Sequence, residues 1–105
     1  MRYLALFFVA LFFAGAAIAE DYTLTIKDHK FQPAELLVPS GKKVKITVKN
    51  EDKTPAEFES SDLDREKLVQ GNSQIDIYVG PLNAGKYGFF DDFHEDTTKG
   101  TLIVK

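Results

Sequence analysis

Cysteine and tryptophan are absent from this 105-residue chain, and Met1 is its single methionine. Without thiols there can be no disulfide, no thiolate metal centre, no iron–sulfur cluster and no cysteine nucleophile. Positive charge is also short. Lys and Arg number 13 against 16 Asp and Glu, a net charge of -3, and this excludes the basic footprint with which proteins displace counterions from nucleic acid. No glycine-rich phosphate loop is present, and no serine sits in a strand-to-helix elbow between glycines. Paired carboxylates can hydrolyse glycosides, but a sandwich this small offers little cleft for a sugar. The length suits one domain and not two.

The first residues read separately from the rest. Arg2 precedes an uncharged, largely apolar run from Tyr3 to Ala19 that closes on Ala17, Ile18 and Ala19. A positive start, an apolar centre and small residues at the end make a secretory signal peptide. Cleavage is expected after Ala19, with residues 1–19 as leader and 20–105 as the exported domain. The competing reading, an uncleaved anchor, meets a run slightly short of the roughly 20 apolar residues a span needs. Cleavage would remove Met1 and Arg2, leaving 12 basic and 16 acidic residues, net -4, and no sulfur of any kind. No membrane span is expected after cleavage, and the location implied is the periplasm.

From Tyr22 onward the pattern is alternation. Tyr22, Leu24 and Ile26 share one side of a period-two stretch; Leu36 and Val38 precede a turn at Pro39 to Gly41. Val44, Ile46 and Val48 alternate with lysines and Thr47, and Ile75, Ile77 and Val79 repeat the theme before turn residues from Pro81 to Gly85. Tyr87 to Phe90 and Thr101 to Val104 complete the set. Short strands divided by Gly, Pro and Asn turns predict an all-β, antiparallel Greek-key β-sandwich of about seven strands. One segment departs from this. Ser61 is placed to cap a short helix through Leu68, with Asp64 in a capping-box position and Leu63 and Leu68 as anchors. The outward lysines of the Val44–Val48 strand read as a solvated face.

Chemistry concentrates in two segments. Asn50 to Glu59 reads NEDKTPAEFE, and Gly88 to Gly100 reads GFFDDFHEDTTKG. The second places Asp91, Asp92, His94, Glu95 and Asp96 directly after a strand. Carboxylates this dense repel one another unless a cation or solvent intervenes, and loops on a rigid sandwich commonly carry function. A solvated acidic loop gives the same pattern, so composition alone leaves metal binding open.

The order FQPAELLVPSGKKVKITVKNEDKTPAEFE, then PLNAGKYGFF, then DDFHEDTTKGTLIV, resembles the cupredoxins. In particular it resembles the cupredoxin-like domain of EfeO-type periplasmic iron-uptake systems, over Tyr22 to Lys105. The resemblance implies a cupredoxin-like sandwich and assigns ligand positions. The first histidine position falls on Glu57, the cysteine position on Asp91, the second histidine on His94 and the axial methionine on Thr98. Phe31 and Phe89 take the places of soft ligands found in some relatives. Blue copper needs two imidazoles and a thiolate, so no type 1 copper site is expected.

What remains by this resemblance is a metal site of Glu57, Asp91 and His94, with Glu59, Asp92 and Glu95 near. Oxygen and imidazole suit Fe, Mn, Zn or Cu(II), and carboxylates favour Fe(III) over Fe(II) by Coulomb attraction. The implied function is an accessory protein that binds, passes on or helps oxidise Fe(II), or handles copper, beside a membrane iron permease and other periplasmic components. At most that is an accessory role in catalysis. His29, in the turn before Phe31, reads either as an outer ligand or as an exposed turn residue. The alternative for the whole chain is a metal-free interaction module, its pole closed by a carboxylate–histidine pair.

Overall fold

The computed structural model describes residues 19–105, so the expected signal peptide, residues 1–19, lies almost wholly outside the described residues. Nine strands follow one another: β1 (Glu20–Lys27), β2 (Lys30–Gln32), β3 (Glu35–Val38), β4 (Val44–Asn50), β5 (Ala56–Ser60), β6 (Arg65–Val69), β7 (Ser73–Val79), β8 (Gly85–Asp91) and β9 (Lys99–Val104). They form a four-stranded sheet in the order β2-β1-β4-β7 and a five-stranded sheet in the order β3-β9-β8-β5-β6.

The alternation in the sequence is what packs the two sheets together. In β4, Val44, Ile46, Val48 and Asn50 are buried while Lys45, Thr47 and Lys49 face outward. Leu24 and Ile26 of β1, Leu36 and Val38 of β3, Ile77 and Val79 of β7, and Leu102 and Val104 of β9 supply the rest of the interior. At one end the filling is aromatic. Phe58 and Phe89 stack at 5.3 Å, and Phe31 meets Phe89 edge-on at 4.9 Å. Edge-to-face and offset packing suits the ring quadrupoles.

Two expectations are corrected here. The pairing is mixed, because β1 runs parallel to β4 and β3 runs parallel to β9. The chain crosses from the first sheet to the second through β3 and returns as β4, so β1 and β4 enter the same sheet in one direction. A hairpin cannot do this and a crossover can. The short helix from Ser61 to Leu68 does not form, and the described residues contain no helix. Ser61 to Asp64 make a single turn, in which Ser60 Oγ accepts from Leu63 N at 3.0 Å. Asp64 then adopts φ 57, a left-handed conformation that stops a helix. Arg65 to Val69 pair instead with β5. Leu63 is buried as an anchor should be, whereas Leu68 is exposed.

No helix of the described residues is long and apolar enough to cross a membrane.

Candidate metal centre at one pole

The candidate residues arrive at one end of the sandwich on three connections and two strands, β5 and β8. The β1–β2 connection is a two-residue hairpin, Asp28 and His29, both at positive φ, 52 and 56. That is the geometry of the type I′ turn, which matches strand twist and tolerates Asp and His as well as Asn. Asp52, in the β4–β5 connection, fixes it: Asp28 N donates to its Oδ1 at 2.7 Å and His29 N to its Oδ2 at 3.0 Å. The β8–β9 connection carries His94 and folds on itself, with His94 N donating to Asp91 O and Thr98 N to His94 O.

Strand direction divides the expected ligands. Asp91 ends β8 on its inward side, 1% exposed. Its Oδ1 accepts from Glu57 N at 2.9 Å and from Phe93 N at 3.0 Å. Its Oδ2 lies 3.1 Å from His94 Nδ1. Both oxygens are therefore engaged within the protein. Glu57 and Glu59 lie on β5 between inward Ala56, Phe58 and Ser60, so their side chains face out of the sandwich. Asp92 follows Asp91 on the opposite side of the chain. One carboxylate oxygen from each of Glu57, Glu59 and Asp92 lies within 4.8 Å of the others.

The four residues expected to share a site thus stand in two sets. Glu57 and Glu59 come together on the outer face, where Asp92 joins them. Asp91 and His94 come together inside. The inward place at the start of β5 belongs to Ala56, which is buried and offers no ligand atom.

The outer set is electrostatically loaded. Glu66 of β6 stands directly across from Glu59, a like-charge pair that costs stability in a sheet. Glu57 is held above the ordinary carboxylate range, first by loss of water and then by Glu66, Asp92 and Glu59. Glu59 is raised as well, again first by loss of water and then by Glu66, Asp92 and Glu95. Every neighbour of consequence is negative, and a cation would relieve all of them together.

The inner set has a second imidazole. The His29 and His94 ring centroids are 4.2 Å apart with the planes tilted by 36°. His29 Nδ1 lies 3.7 Å from Asp52 Oδ2. Thr98, fully buried, donates its hydroxyl to His29 O at 2.6 Å. The axial-ligand position thus works as a tie between two loops. Sequence reasoning found His29 near the pole but missed Asp52, whose role depends on the meeting of two distant turns.

A sandwich of two sheets with loop-borne ligands gathered at one pole is the cupredoxin architecture, and the comparisons agree. The chain belongs to the cupredoxin-like domain family, whose model matches residues 2–104. It is 49% identical over 84 residues to the Rickettsia prowazekii (strain Madrid E) protein RP394, covering 80% of this chain and 67% of that protein. Among solved structures it is similar to auracyanin A, a blue copper protein of Chloroflexus aurantiacus. The TM-score is 0.72 at 17% identity, over 84% of this chain and all of that one. It is also similar to a purple cupredoxin from Nitrosopumilus maritimus, with a TM-score of 0.63 at 19% identity, over 81% of this chain and 100% of that one. At these identities the structures show a shared fold.

The donor set does not fit the type 1 copper of that fold. Such a centre needs a thiolate and two imidazoles, and the chain has no cysteine.

Proposed function

We propose that this protein is a periplasmic metal-binding accessory of an iron (or copper) uptake system, which binds, passes on or assists the oxidation of Fe(II). The observation that carries this reading is the outer carboxylate face: three carboxylates converging within 4.8 Å, with Glu66 and Glu95 acting on the same charges. Hard oxygen donors suit iron and manganese. The higher charge of Fe(III) gains more from them than Fe(II) does, so a bound ferrous ion is easier to oxidise. Placement on an exposed sheet face, with solvent on one side, suits a cargo that must leave again. Within such a system the receiving partner is a membrane iron permease, working with other periplasmic components.

The test is an anaerobic Fe(II) titration of protein purified after export, followed by calorimetry and bound-metal analysis. The expected result is saturable one-to-one binding that weakens by about ten-fold or more in the Glu57→Gln, Glu59→Gln double variant. Equal binding by that variant would remove the basis of the reading. The protein would then be a metal-free interaction module, for which the engaged Asp91–His94 pair is the structural argument. Admission of air to the loaded protein tests oxidation, read as the appearance of Fe(III).

A further inference from the structure

Two cations on β6 have no part in the carboxylate face. Arg65 and Lys67 stand on the inward side of that strand, opposite Ser60 and Phe58 of β5. Both reach across the open side of the sandwich to β7. Arg65 Nε and Nη2 donate to Tyr78 O at 3.1 and 2.8 Å, while its Nη1 donates to Leu63 O at 3.2 Å and to Asp64 O at 2.9 Å. Lys67 Nζ donates to Asp76 O at 3.3 Å. A residue of an antiparallel strand points its N–H and C=O to the same side, so the backbone of Gln74, Asp76 and Tyr78 faces away from β4. Strand β7 is the edge of its sheet. Two carbonyls of that edge are thus occupied by cations from the other sheet.

This is the edge that needs covering. The other edge strands are β2 with three residues, β3 with four and β6 with five. Pro33 and Pro39 directly follow β2 and β3, and β6 is largely charged. By contrast β7 has seven residues, SQIDIYV, with no proline or glycine and Asp76 as its single charge. Strand-forming, weakly charged segments of this length pair with copies of themselves when an edge exposes them. We propose that β7 is a strand-pairing edge for a second copy of this chain, held closed by Arg65 and Lys67. In an antiparallel register centred on Ile77, Asp76 of each copy lies opposite Tyr78 of the other, so the one charge meets no like charge. The incoming strand needs the Asp76 and Tyr78 carbonyls as acceptors, and both are taken. Its approach also brings both copies of Arg65 and Lys67 to one seam, where like charges repel.

The experiment is sedimentation velocity of the full chain purified after export, over a series of concentrations, with hydrogen exchange of the β7 amides. Wild type is expected to sediment as a monomer. The Arg65→Ala, Lys67→Ala variant is expected to dimerise, with an association constant about ten-fold or more above wild type. Exchange at Gln74, Asp76 and Tyr78 should slow in step with the dimer, because pairing buries those N–H groups. Arg65 also holds the turn before β6. Should the double variant unfold, Lys67→Ala decides by the same two readouts, since it gives up one exposed contact and leaves the fold standing. A folded variant that stays monomeric would overturn the proposal. So would a dimer whose exchange at the three amides matches wild type, because its interface would lie elsewhere. A wild type already paired through these amides would show that the cations do not close the edge, and would overturn it equally.

Discussion

Asp91 gives the sharpest test, because a direct metal ligand and a structural latch predict different behaviour in the absence of metal. Its carboxylate is buried and accepts from Glu57 N, Phe93 N and the His94 ring. Asp91→Ala leaves two backbone donors and one ring nitrogen without their acceptor. A buried unsatisfied donor costs about 1–3 kcal/mol, but water reaches the exposed Phe93 turn and relieves part of that. The expected loss is about 3–5 kcal/mol, a large share of the roughly 5–15 kcal/mol that holds a small domain folded. Asp91→Asn keeps an oxygen for the two backbone donors and loses only charge assistance, about 1–2 kcal/mol.

Urea unfolding of the metal-free protein at neutral pH reads both variants. With a slope near the low end of the range, about 1 kcal/mol per molar, the Asp91→Ala midpoint falls by about 3–5 M and the Asp91→Asn midpoint by about 1–2 M. A second effect belongs to Asn alone. Its oxygen is held by the two N–H groups, so its NH2 must face His94 Nδ1. The imidazole then accepts at Nδ1 and carries its proton on Nε2, a tautomer that nitrogen NMR of the His94 ring reports. A loss below about 1 kcal/mol in metal-free Asp91→Ala would refute the latch, since no set of three satisfied hydrogen bonds is that cheap to strand.

Two further outcomes follow from the same geometry. Glu57 and Glu59 have carboxyl groups raised in the folded state, so the folded protein binds protons more tightly than the unfolded chain. Their contribution to stability is complete below the ordinary value of 4.5 and is lost as pH rises through the raised folded values. Glu57→Gln, Glu59→Gln should accordingly raise the urea midpoint of metal-free protein at neutral pH, and the gain should vanish toward pH ~4; a gain independent of pH would exclude charge as its cause. Phe58, fully buried between Phe31 and Phe89, should cost about 3–5 kcal/mol as Phe58→Ala, again by urea unfolding. A loss under 1 kcal/mol would mean that the aromatic end of the core does not hold the sheets together.

The sandwich was legible because alternation is a local signal. Val44, Ile46 and Val48 announce which side of β4 is inside, and one face of a strand cannot be buried without the other being exposed. The same logic was available for the site. Ala56, Phe58 and Ser60 form the small and apolar side of β5, which by period two sends Glu57 and Glu59 outward, away from an inward Asp91. Ligand positions carried over from a resemblance hide that, because they match residues by order and take no account of side-chain direction. The Ser61 to Leu68 segment misled for a different reason. Ser60, just before it, takes Leu63 N, a donor that a cap at Ser61 would need, and Asp62 is drawn instead to Gly88 N of β8. The Asp52 contact had no local signal at all, since it joins residues more than twenty positions apart.

No cysteine stands at this pole, and the structure sets its outward carboxylates apart from its histidines. Glu57, Glu59 and Asp92 stand outside the β5–β8 ladder, and Asp91 with His94 on its inner side. One residue ties the two sets together. Asp91 Oδ1 holds the backbone of Glu57, whose side chain belongs to the outer carboxylates, while Asp91 Oδ2 holds the ring of His94. A buried carboxylate bonded to both positions each set through a short, rigid path, so a change at Asp91 reaches both faces. A change at Glu59 or at His29, each reaching only one set, does not. The outer carboxylates and the inner histidines can therefore be perturbed separately at Glu59 and His29, while the geometry of the whole pole rests on Asp91, which both sets share.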